Sequence, residues 1–132
     1  MGRPATAAAP TAERILRAAD ELFAAHGYDG VSVRDIAEHA GVNKGLVYYH
    51  HGSKAELFEH VLDGYYRRHA EALSQGFAQG GTLRERLHGV MDAYLDFLEE
   101  NHRYAQIVQR EIAAGSEALP QIRRGLSLLY DW

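Results

Sequence analysis

Between Thr11 and Gly27 the apolar residues Ile15, Leu16, Ala19, Leu22 and Phe23 recur at intervals of three and four, so they share one face of a helix. Pro10 precedes Thr11, which makes Thr11 the expected cap and leaves the Ala- and Pro-rich residues 1–10 as a flexible, disordered arm. Tyr28, Asp29 and Gly30 suit a turn. A short apolar face follows at Val33, Ile36, Ala37 and Ala40, bracketed by Ser32 and Asp35 as a capping box and by Gly41 as a stop. Asn43 is placed to cap a third helix from Lys44 to about His50, closed by Gly52 and Ser53. Ser53 with Glu56 forms another capping box and launches a long helix through Leu57, Phe58, Val61, Leu62, Tyr65, His69 and Leu73. Such a cap contributes about 1 kcal/mol, enough to fix a boundary. Gly80 and Gly81 interrupt the pattern, Thr82 and Glu85 cap again, and Leu87, Val90, Met91, Tyr94, Leu95 and Leu98 form the next stripe. A turn is expected at Asn101–Arg103, then a helix with Tyr104, Ile107, Val108 and Ile112 ending near Gly115. Pro120 opens the last helix, with Ile122, Leu126, Leu129 and Tyr130 on one face. Strand-like alternation occurs nowhere, so the fold class is all α.

A chain of 132 residues can bury one core, or a core with a small satellite. Its 14 Lys and Arg against 18 Asp and Glu give a net charge of −4, which does not fit a general polyanion binder. The excess acid is unevenly placed. Residues 1–54 hold six bases and six acids, and the surplus of carboxylates lies entirely beyond them. Absence of cysteine excludes disulfides and thiolate metal sites and fits a reducing compartment. No apolar run approaches the roughly 20 residues of a membrane span, and the first residues lack an apolar signal core, so the expected location is the cytoplasm.

One strip changes this picture. Between Glu38 and Glu56 there is no carboxylate, while Lys44 and Lys54, Tyr48 and Tyr49, and His50 and His51 all fall within it. Two short helices joined by a tight turn at Gly41 form a helix-turn-helix, whose second helix enters a major groove lined by phosphates. A carboxylate on that surface would be repelled, so the clearing of acids has a polyanion as its physical reason.

The ordered motifs carry a resemblance. The stretch ILRAADELFAAHGYDGVSVRDIAEHAGVNKGLVYYHHGSKAELF resembles the DNA-binding domain of TetR-family transcriptional regulators. It keeps the Ala-x-x-Leu-Phe of the first helix, SVRDIA, AGV-x-KG, YYH and SK-x-EL. The resemblance implies a helix-turn-helix domain over residues 11–54 and a helical effector-binding domain over 55–132. It also implies a homodimer on a palindromic double-stranded operator, acting as a repressor released by a small molecule. Carried onto this chain, the DNA-contacting set is Val33, Arg34, Lys44, Gly45, Leu46, Tyr48, Tyr49, His50 and Lys54. Chemistry agrees, because tyrosine, imidazole and ammonium groups donate to phosphate oxygens and lysine can bridge guanine O6 and N7. Arg3 resembles a basic arm that enters a minor groove. Two departures stand out. His51 occupies the position where the family usually has a large apolar anchor, and Leu46 the position where Thr is common. A half-buried His51 that has to stay neutral would make the domain acid-sensitive near the imidazole's usual pKa of about 6.5.

In the second half, Tyr65, His69, Met91, Tyr94, Tyr104, Val108, Glu111 and Tyr130 combine aromatic bodies with polar tips and are candidate contacts for an apolar or aromatic effector. Each taken alone also fits a helical core. A helical protein-interaction module and a small enzyme are the other function classes. Against the enzyme, the sequence has no HExxH pair, nucleophile elbow or glycine-rich phosphate loop, and no cofactor or metal is expected. Family members run well beyond this length, and Trp132 after an apolar stripe points to an incomplete effector domain.

Overall fold

A computed structural model describes the backbone of residues 4–115 and 119–130 and the side chains of residues 10–115 and 119–124. The described residues form α1 (Pro4–His26), α2 (Val33–Ala40), α3 (Lys44–His51), α4 (Lys54–Ala78), α5 (Leu83–Glu100), α6 (His102–Ala114) and α7 (Leu119–Tyr130), with no strand among them.

The caps read from sequence act as expected. Ser32, Asn43, Ser53 and Thr82 each accept the backbone N–H three residues on, and Asp35, Glu56 and Glu85 return the bond to the cap's own N–H. Gly41 ends α2 in the left-handed conformation at φ 73°, where its N–H reaches the carbonyls of Ala37 and Glu38. Arg14 of α1 donates to the Ala40 carbonyl at 2.9 Å, a cation at the negative end of α2.

The first boundary differs from expectation. Helix α1 begins at Pro4, not Thr11, and carries Pro10 in its interior. The Ala7–Ala9 run has the highest helix propensity available and extends the helix across Pro10, although that ring removes one backbone donor and crowds the carbonyl four residues back. Residues 4–10 are therefore helix and not a disordered arm.

The core crosses the domain boundary expected after Lys54. Leu57 and Phe58 at the start of α4 are fully buried, and Phe58 meets Phe23 and Tyr28 edge-on at 5.1 and 5.0 Å between ring centroids. The helix that leaves the first three thus belongs to their core. Farther along, α4 and α5 cross at Gly76, where a Cβ would lie 2.6 Å from the Cα of Val90. Only a residue without a side chain permits that approach. The outer face of α5 leaves Leu83, Leu87, Met91 and Leu95 exposed.

Candidate nucleic-acid interface

Helix α3 is held by its inner face. Val47 is fully buried, and His51, one turn later, is 9% exposed. His51 Nε2 donates to the Ala12 carbonyl of α1 at 2.9 Å. A carbonyl only accepts, so Nδ1 carries the lone pair and accepts the Nδ1–H of His60 at 3.1 Å. The imidazole thus anchors α3 to α1 and α4 where an apolar ring is usual. Burial holds its pKa below the ordinary imidazole value.

The outer face of α3 presents Lys44, Gly45, Leu46, Tyr48 and Tyr49, all exposed, with His50 half-buried and its ring edge-on to Tyr49 at 4.9 Å. Tyr48 is 48% exposed and Tyr49 80%, so neither is a core residue.

Arg34 from α2, Lys44 and Tyr48 from α3, and Lys54 from α4 line one groove of about 490 Å³. Residues 29–32 of the turn between α1 and α2, with Val33 at the start of α2, form another wall. Three cations and a phenol from three helices therefore converge. Arg34 pairs with Glu38 at 3.3 Å, and both side chains are largely in solvent, so this pair holds it weakly. The ammonium of Lys54 lies 4.2 Å above the Tyr28 ring, which fixes the chain while leaving the charge unneutralised. Asp35 shares the groove, but its carboxylate turns back to the Ser32 N–H at 2.9 Å, and that bond with the Ser32 hydroxyl lowers its pKa. Val33 does not join the exposed set. It is 8% exposed and packs largely in the core, with its remaining surface at the wall of the groove. Arg3 lies outside the described residues.

Residues 15–61 match the family described as bacterial regulatory proteins, tetR family. The chain belongs to the TetR family. It is 31% identical over 115 residues to the HTH-type transcriptional activator FasR of Mycolicibacterium smegmatis, covering 83% of this chain and 51% of that protein. To the HTH-type transcriptional repressor KstR2 of the same organism it is 33% identical, over 80% of this chain and 51% of the relative. Among solved structures, the TetR-family regulator PfmR of Thermus thermophilus superposes with a TM-score of 0.74 at 27% identity, covering 89% of this chain and 62% of that one. The ketosteroid transcriptional regulator KstR2 of Mycobacterium tuberculosis gives 0.73 at 27%, with 89% and 61% covered. This TetR-family chain thus spans about half the length of the curated relatives it matches.

The residues expected to hold an effector are spread between an aromatic cluster, the core and the outer surface of α5. Tyr65, His69, Tyr94 and Tyr104 pack on one another and on Phe97. His69 lies against Phe97 at 5.1 Å and Tyr94 at 5.2 Å, and Tyr65 against Tyr104 at 5.5 Å. The Tyr65 hydroxyl donates to Asp20 of α1 at 2.5 Å, and Arg103 of α6 donates to the same carboxylate at 3.2 Å. Val108 is half-buried against the core. Met91 is 57% exposed on the outside of α5. Glu111 is 1% exposed and accepts the Tyr28 N–H at 2.6 Å, so it ties α6 to the end of α1. The Tyr130 side chain lies outside the described ones. A groove of about 410 Å³ does run between α4 and α5, but its walls are polar, with Arg68, Glu71, Gln75, Asp92 and Asp96, and it includes none of the eight.

Three contacts left no trace in the hydrophobic pattern: Tyr28 with Glu111, Asp20 with Tyr65 and Arg103, and His51 with His60. The first two join residues far apart in sequence. Only the third had a sequence signal, a histidine at an apolar position.

Proposed function

We propose that this chain acts as a sequence-specific DNA-binding transcriptional regulator, a cytoplasmic homodimeric repressor released from a palindromic operator by a small apolar or aromatic molecule. The observation that carries DNA binding is the convergence of Arg34, Lys44, Tyr48 and Lys54 in one groove, beside a helix cleared of acids. An eight-residue recognition helix covers too few base pairs alone, which favours two copies on half-sites about 34 Å or more apart. Retention of duplex DNA at low salt, with log affinity falling linearly in log salt, is the expected result. Footprinting should show two symmetric half-sites. A protein-interaction module or an enzyme would bind duplex weakly at every salt concentration, and that outcome overturns the reading.

Support for an effector is narrower. His69 is 4% exposed, and its Nδ1 is buried without a hydrogen-bond partner among the described residues. A buried polar atom left unpaired costs about 1–3 kcal/mol, and a ligand donor among Tyr94, Phe97 and Tyr104 would remove that cost. Reciprocal linkage then requires operator and effector to weaken each other by one factor. Equal effector affinity with and without operator rules the mechanism out.

A further inference from the structure

The recognition helix carries little hydrogen-bonding chemistry for base edges. Its sequence is KGLVYYHH, of which Val47 and His51 are turned inward. Asn43, the one carboxamide beside it, spends its Oδ1 on the Leu46 N–H at 2.9 Å as the helix cap. Lys44 alone has an end suited to a purine acceptor pair. Leu46, by contrast, stands in the first turn with 37% of its surface exposed, on the outer face of α3 that also carries Lys44, Tyr48 and Tyr49. Beside it Gly45 has no side chain, and a Cβ there would meet only Asn43 Oδ1 within 4 Å, so the backbone next to Leu46 is open to close approach.

We propose that Leu46 reads the C5-methyl group of a thymine in the major groove, so that the preferred operator carries thymine at that position. Major-groove edges offer amino donors, ring-nitrogen and carbonyl acceptors, and one apolar group, the thymine methyl. A leucine pressed on a donor or acceptor desolvates it without a partner; pressed on the methyl, it buries apolar surface on both sides. Contact at Leu46 therefore selects thymine by a favourable burial and rejects the other bases by lost hydration. The inference rests on the DNA-binding reading above and deepens it.

The test uses the purified chain and a duplex selected by it from random sequence. Each thymine is replaced singly by deoxyuridine, which removes the methyl and leaves the pairing edge unchanged. One position per half-site should lose affinity by roughly fourfold, the factor carried by one buried methyl-sized group. At that position 5-methylcytosine opposite guanine should bind better than cytosine. Leu46→Ala should abolish the thymine over deoxyuridine preference, and Leu46→Met, which keeps an apolar end, should retain it. Both variants have to show the wild-type circular dichroism melt, as expected for an exposed side chain. If deoxyuridine equals thymine at every position, or Leu46→Ala keeps the discrimination, the proposal is wrong while DNA binding stands. If no duplex is retained at any salt concentration, the DNA-binding reading fails and the proposal goes with it.

Discussion

His51 makes the smallest part of the fold depend on a proton. It donates through Nε2 and accepts through Nδ1, so a second proton would set two N–H groups against each other across 3.1 Å to His60. Its pKa is lowered by burial, and that of buried His69 is lowered for the same reason. In the unfolded chain both return to about 6.5. Below that value the unfolded state takes up protons that the folded state refuses, so stability is fully present above about 6.5 and is lost as pH falls toward the folded pKa values. Thermal unfolding at pH 7.5 and 5.5 should therefore show a lower midpoint in acid, and His51→Phe should shrink the difference. An unchanged difference would place the titration elsewhere. The two lysines of the groove should also fail differently. Lys54→Ala should weaken binding to all sequences alike and lower the salt slope by about 0.9 per subunit. Lys44→Ala should cost about 1–3 kcal/mol on the selected site and flatten the preference at one position per half-site. Titrations against selected and random duplexes at several salt concentrations separate them, and equal losses on both duplexes for Lys44→Ala would make it a phosphate contact. The strip from Lys44 to Lys54 was legible because charge and exposure follow from residue type. Burial of Val33 was not, because a valine at a helix start serves core and surface equally well until its neighbours are placed.

The helices were legible from their punctuation. Every capping box read from Ser or Thr followed three residues later by an acid is formed, since the bond is local and needs no tertiary partner. The start of α1 was not, because proline reads as a stop while the alanines before it favour helix, and the balance is not a local pattern. The crossing of α4 and α5 was equally hidden. Gly76 sits inside a helix, where glycine costs about 1 kcal/mol against alanine, so its place there needs the approach of Val90. Gly76→Ala should gain that propensity and lose more, because the new Cβ meets backbone, which cannot swing aside. A net loss of about 1–3 kcal/mol in chemical denaturation is expected, whereas exposed Gly80→Ala at the helix end, with no atom near its Cβ, should change little. A stabilised Gly76→Ala would show that the crossing has slack.

At the scale of the whole molecule, the helix-turn-helix head and the later helices are joined by a continuous α4 and by two polar ties at α6. Asp20 gathers Tyr65 and Arg103, and Glu111 takes the Tyr28 N–H. Glu111→Ala should leave that N–H unpaired in a buried site, at about 1–3 kcal/mol of stability, and Glu111→Gln, which keeps an acceptor oxygen, should lose less. Parallel urea titrations of the three proteins decide it, and equal losses for both variants would show that volume and not the bond is what counts. Aromatic and acidic residues in the second half gave no sign of these ties, since a pocket wall and an inter-helix bolt draw on the same residue types.

The Tyr28–Glu111 tie is also lopsided in a way that inheritance would notice. One end is a side chain whose acceptor most substitutions at 111 would remove, while the other is main chain, present whatever residue stands at 28 short of proline. A genetic screen for uncoupled regulators would therefore collect many alleles at one end of the tie and almost none that act through the other.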